Sequence, residues 1–111
     1  MTDFERIALW IGWSTKEITY GPLGLHTQKI WINQNGSWCD SPCFNTDEEA
    51  IGLLKILAER GYIVSLEGLE SGWVCYYANR NEFAPEYVDT GIFPSIHEAI
   101  VSVTLSVIEN E

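Results

Sequence analysis

Basic residues are scarce in this sequence of 111 residues: six Lys and Arg stand against sixteen Asp and Glu, for a formal net charge of −10. The imbalance deepens toward the end, where Asn81 to Glu111 holds six acidic residues and no Lys or Arg. Such a surface repels phosphate backbones and anionic lipid, which argues against direct nucleic-acid or membrane binding. Long apolar runs are also missing, and no stretch approaches the ~20 residues of a membrane span. The opening Met1 to Arg6 is polar and mixed in charge, with neither a basic n-region nor a small-residue cleavage site. That predicts a cytoplasmic protein, and in a reducing compartment Cys39, Cys43 and Cys75 are expected as free thiols.

Recognisable catalytic machinery is absent as well. No serine sits in a G-x-S-x-G elbow, no Cys/His pair carries a local signature, and Gly68, Gly72 and Gly91 stand alone rather than in a phosphate-binding loop. The carboxylates of Asp47, Glu48 and Glu49 cluster, but at a helix start, where capping accounts for them. His26 and His97 are far apart in the chain. Cys39 and Cys43 form one close pair, to which His26, Cys75 or His97 could add, whereas structural zinc ordinarily uses two tight pairs. The expectation is therefore no metal, no cofactor, no catalytic residue, and a binding protein rather than an enzyme.

What the sequence does have is enough apolar material for one domain spanning 1–111: 46% hydrophobic residues, with five Trp, five Tyr and four Phe. Phe4, Ile7, Ala8 and Ile11 recur at helical spacing. Ser14 to His26 reads as irregular, with Tyr20 to Gly24 a loop. Lys29 to Asn33 and Ser37 to Cys39 read as a hairpin turned by Asn35-Gly36, a pair that supplies positive φ at both central positions. Thr46 with Glu49 predicts a capping box and a helix whose stripe is Ala50, Leu53, Leu54 and Leu57, ended by Gly61. Strands are expected at Tyr62 to Leu66 and Trp73 to Tyr77 around a loop from Glu67 to Gly72, with a further strand within Glu86 to Phe93.

Ser95 with Glu98 predicts a second capping box and a closing helix. Its inner stripe is Ile96, Ala99, Ile100, Val103 and Val107. Val101, Leu105 and Ile108 form a second stripe, which predicts self-association as a homodimer. The expected fold is α+β: a layered α/β sandwich with a sheet of three or more mostly antiparallel strands and three helices.

The order of landmarks resembles the phage ABA sandwich domain family of small bacteriophage and prophage proteins. A helix ends in Gly12-Trp13, and a Trp31 to Trp38 segment turns at Asn35-Gly36. Pro42-Cys43-Phe44-Asn45-Thr46-Asp47 opens a helix, Trp73-Val74 starts a strand, and a helix follows Pro94. The resemblance implies an α/β/α layered fold and a phage origin, with no catalytic residues to carry over. Ser14 to Gln28 and Glu82 to Asp89 fall outside it.

Three functions remain open on these grounds. The first is a phage accessory protein that binds a host protein through an acidic, aromatic-bearing surface, possible inhibition of host defence included. The second is a binder of a small nucleotide-like molecule at an oligomer interface. The third is a small enzyme with an unrecognised site. Trp31, Trp38, Tyr76 and Tyr77 lie on predicted strands, where alternation turns some side chains outward, and they are the candidate ligand- or partner-binding residues. The same residues also suit a core.

Overall fold

The computed structural model describes residues 1–111 and is α+β, with three α-helices and two three-stranded antiparallel sheets. The chain divides into two compact units, Met1–Cys43 and Phe44–Glu111.

The first unit opens with α1 (Asp3–Trp10), capped by a reciprocal box in which the Thr2 hydroxyl accepts from the Glu5 amide and the Glu5 carboxylate accepts from the Thr2 amide. Gly12, at φ +99°, stops the helix: its left-handed backbone lets the Trp13 amide reach back to the Ala8 carbonyl at 2.9 Å. The Gln34 side chain also donates to the Ile11 carbonyl. Three strands follow, β1 (Ser14–Tyr20), β2 (His26–Ile32) and β3 (Trp38–Cys39), in that spatial order. The stretch read as irregular is thus largely strand, and β1 pairs with β2 along its whole length. Its Ser-Thr-Lys-Glu-Ile-Thr-Tyr text shows no apolar alternation because no residue of it is fully buried. Lys16 and Glu17 at mid-strand are what an exposed sheet edge carries to resist edge-to-edge pairing.

The β2–β3 turn also differs from expectation. Only Gly36 has positive φ, +82°, and the Gly36 amide bonds to the Asn33 carbonyl. The Asn33 carboxamide accepts from the amides of Asn35 and Ser37. The tight two-residue turn is therefore replaced by a wider one closed by a glycine in the left-handed region. Ile7 and Ala8 of α1, Ile11 just after it, and Ile30 and Trp31 of β2 are buried in this unit.

The second unit holds α2 (Asp47–Glu59), β4 (Tyr62–Leu69), β5 (Gly72–Asn79), β6 (Val88–Asp89) and α3 (Ile96–Glu109). The sheet order is β4-β5-β6. α2 packs on β4, α3 packs on β5, and the helices contact each other, so both cover one face of the sheet. Thr46 and Ser95 cap their helices, accepting from the amides of Glu49 and Glu98, but the reciprocal carboxylate bond of the expected capping boxes is formed at neither. The Thr46 hydroxyl donates to the Glu49 carboxylate at 2.7 Å, so this carboxylate engages the hydroxyl. The core contains Leu53 and Leu57 from α2, Cys75 and Tyr77 from β5, and Ile100 and Val103 from α3, while Val74 and Ala78, on the opposite face of β5, are buried as well. Leu54, placed on the α2 stripe by its spacing, is half-buried.

The β4–β5 hairpin is longer than the sequence suggested. Both strands run to a turn of Glu70 and Ser71, with Leu69 opposite Gly72. Gly68 lies opposite Trp73, and its missing side chain leaves room for the indole, whose nearest ring carbon would stand 3.0 Å from a Cβ at that position. The expected strand within Glu86 to Phe93 reduces to β6 and a separate bridge between Trp73 and Phe93.

Burial has a chemical consequence at Cys75, which pairs opposite Leu66 and is 1% exposed. Desolvation pushes its thiol up to about 11. Near pH 8 it is both shielded and protonated, whereas Cys39 and Cys43 are only half-buried. Brief alkylation of the native protein is expected to modify Cys39 and Cys43 and spare Cys75, which becomes reactive after denaturation. Peptide mapping by mass spectrometry checks this, and native labelling of all three at one rate contradicts it.

Candidate functional site

The structure separates the four aromatics singled out from sequence. Trp31 is 2% exposed and belongs to the first unit's core, with the Lys29 ammonium 4.8 Å from its ring centroid. Trp38 is 65% exposed on β3, the short edge strand of that unit's sheet. Tyr76 is half-buried, and its neighbour Tyr77 is 8% exposed. Trp31 and Tyr77 are thus the members of the set that lie among the buried residues, and Trp38 is the one most turned to solvent. Of the four, Tyr77 lines a cavity.

That cavity is a cleft of about 180 Å³ in the second unit, formed where the end of β5, the start of β4 and the end of α3 meet. Ala78, Val88 and Val107 give it an apolar part, and Tyr62 and Tyr77 supply aromatic rings. Asn79, Glu82, Glu86 and Asn110 supply polar groups, and the lining contains no Lys or Arg.

The two tyrosines are held by different devices. Their rings meet edge to face, with centroids 6.3 Å apart and planes at 67°. The Tyr77 hydroxyl hydrogen-bonds the Ser106 hydroxyl at 2.8 Å, and the Asn110 amide nitrogen lies 3.5 Å from it. That nitrogen also donates to the Ser106 carbonyl at 2.8 Å, which fixes Asn110 across the last turn of α3 and leaves its Oδ1 as an acceptor. The Tyr62 hydroxyl donates to the Glu111 carboxylate at 2.9 Å. Burial, then the bond to Glu111, pushes the Tyr62 phenol up to about 12, so at neutral pH it is a donor.

The charge around this cleft is negative for reasons of both sequence and geometry. Glu82 and Glu86 line it, and the Glu111 carboxylate accepts from the Tyr62 hydroxyl. The last turn of α3 contains no basic residue, so the negative end of the helix dipole is unopposed by its own side chains. Arg60, at the end of α2, offsets part of this at Tyr62.

Beside the cleft runs a segment with exposed apolar side chains. Phe83 is fully exposed, and Tyr87, Val88 and Ile92 are exposed as well. Glu82 and Glu86 flank Phe83 in sequence. Comparison with family models, curated proteins and solved structures yields no match.

The remaining candidates fall elsewhere. His97 donates its backbone amide to the Asp47 carboxylate at 3.2 Å and holds the same oxygen 3.1 Å from its ring nitrogen, tying the starts of α2 and α3 together. His26 stacks on Tyr20, with centroids 5.3 Å apart. No group of three His, Cys, Asp or Glu side chains is placed to hold a metal ion. Val101, Leu105 and Ile108, the second stripe of α3, are each half-buried in the single chain.

Sequence reasoning missed Tyr62, Glu82, Glu86 and Asn110. A signal did exist for two of them: Glu82 and Glu86 belong to the stretch from Asn81 onward that has no basic residue. Nothing in the linear text brings the start of β4 to the end of α3.

Proposed function

We propose that this chain is a non-enzymatic binding protein whose partner is a basic protein, docked on the second unit around Glu82 to Ile92. The observation that carries the reading is an exposed aromatic, Phe83, between two carboxylates that line an acidic cleft. Exposed aromatics supply the anchoring contacts of protein interfaces, and a net charge of −10 steers a basic partner toward them. The resemblance to phage ABA sandwich domains, which rests on sequence landmarks alone, supplies a setting: a phage accessory protein acting on a host component in the bacterial cytoplasm.

The nucleotide-like alternative fares worse at this cleft. Its volume of about 180 Å³ is below the roughly 300–1,000 Å³ of small-molecule sites, and its carboxylates oppose a phosphate.

Affinity capture from bacterial lysate, followed by mass spectrometry, tests the proposal. The wild-type bait is expected to retain basic proteins that elute with moderate salt, and Phe83→Ser and Tyr87→Ser baits are expected to lose them. Retention unaffected by both substitutions would place the binding surface elsewhere.

A further inference from the structure

We infer that the cleft between Tyr62, Tyr77 and Asn110 receives the guanidinium of an arginine side chain from the partner. This rests on the reading of the chain as a binder of a basic protein and adds which group of that partner is taken and where.

Four features of the cleft converge on a planar cation. Two aromatic rings line it, and an aromatic face attracts a cation within about 6 Å of its centroid, arginine more often than lysine. Glu82 and Glu86 give it two carboxylates, each able to accept a guanidinium bidentately. Asn110, its amide nitrogen committed to Ser106, has an oxygen left to accept. The fourth feature is the end of α3, whose last turn holds no cation of its own.

Size and donor count then select among cations. A volume of about 180 Å³ suits one side-chain head group rather than a whole ligand. A guanidinium brings five N–H donors in a rigid plane to acceptors spread around the cleft, whereas an ammonium is a compact, strongly hydrated point charge. Tyr77, which lines the cleft, is held in place through its hydroxyl's bond to Ser106.

The experiment is an NMR titration of the full chain, following backbone amides, with N-acetyl-arginine amide. N-acetyl-lysine amide tests the choice of cation, and N-acetyl-citrulline amide, a neutral isostere, tests the need for charge. Saturable shifts centred on Ala78, Asn79 and Asn110 are expected with the arginine probe, weaker ones with lysine, and none with citrulline. Glu82→Gln with Glu86→Gln is expected to weaken arginine binding about tenfold or more, the size of a lost charge-assisted hydrogen bond. Glu17→Gln with Glu48→Gln, an equal change in net charge at exposed positions outside the cleft, is expected to leave it within about twofold, as screened distant charges do. Equal binding of lysine or citrulline, shifts scattered over the surface, or equal effects of the two double variants would each overturn the inference. Capture of basic proteins through Phe83 without arginine binding in the cleft would defeat this inference alone. Arginine binding in the cleft without any such capture would defeat the broader proposal.

Discussion

Gly72→Ala is expected to destabilise the second unit by about 2–5 kcal/mol, combining a strained backbone with a steric conflict. Gly72 follows the Glu70-Ser71 turn at φ +143°, a conformation that L side chains rarely adopt. A Cβ there would drive into the Phe93 carbonyl oxygen and crowd the Ile92 side chain. That carbonyl cannot simply step aside. It accepts from the Trp73 amide at 2.7 Å, while the Phe93 amide donates to the Trp73 carbonyl at 2.8 Å. These two bonds tie the segment ahead of α3 to the first residues of β5. Relief of the clash therefore costs the bridge, and retention of the bridge keeps the strain.

Urea unfolding of Gly72→Ala beside Gly91→Ala separates the two contributions. Gly91 also has positive φ, +115°, but a Cβ there would meet nothing within 4 Å. Its loss is expected to be strain alone, about 1–3 kcal/mol. Equal losses at the two glycines would mean that the Phe93 contact contributes nothing.

Neither glycine could be ranked from sequence, and the reason is general to this chain. Local signals identified the elements whose causes are local: the Thr46 and Ser95 caps, the stripe of Leu53 and Leu57, and the Trp73 to Tyr77 strand. Gly12 ends a helix, but its text alone is ambiguous, because a left-handed stop and an interior interruption look alike in sequence. β1 was missed for a different reason. A strand with no fully buried residue has no alternation to display, and its seven residues are held by β2 instead. The cleft was the least legible part. Tyr77 is one of four strand aromatics in the text; Tyr62 comes beside it through the register of β4 on β5, and Asn110 through the packing of α3 on β5. The acidic excess was plain in the composition; its concentration beside two rings was not.

The second large effect belongs to the α2–α3 layer, on which the cleft depends. Leu57→Ala is expected to cost about 2–5 kcal/mol, the range for removing a buried leucine side chain where the surroundings cannot fully collapse. Leu57 is 0% exposed, and α2 contacts both α3 and β4, so a cavity there is enclosed on more than one side. Ile51, on the same helix, is 52% exposed, and Ile51→Ala is expected to stay within about 0.5 kcal/mol of wild type. Both replacements raise helix propensity, Ile→Ala slightly more than Leu→Ala, so propensity cannot reproduce the predicted difference. Chemical denaturation monitored by circular dichroism gives both values. With a native stability of about 5–15 kcal/mol, Leu57→Ala removes a large share and Ile51→Ala almost none. Comparable losses at the two positions would mean that α2 does not bury the face assigned to it. In that case Val107 and Asn110, carried by the α3 helix that α2 supports, would not hold the cleft in the form described.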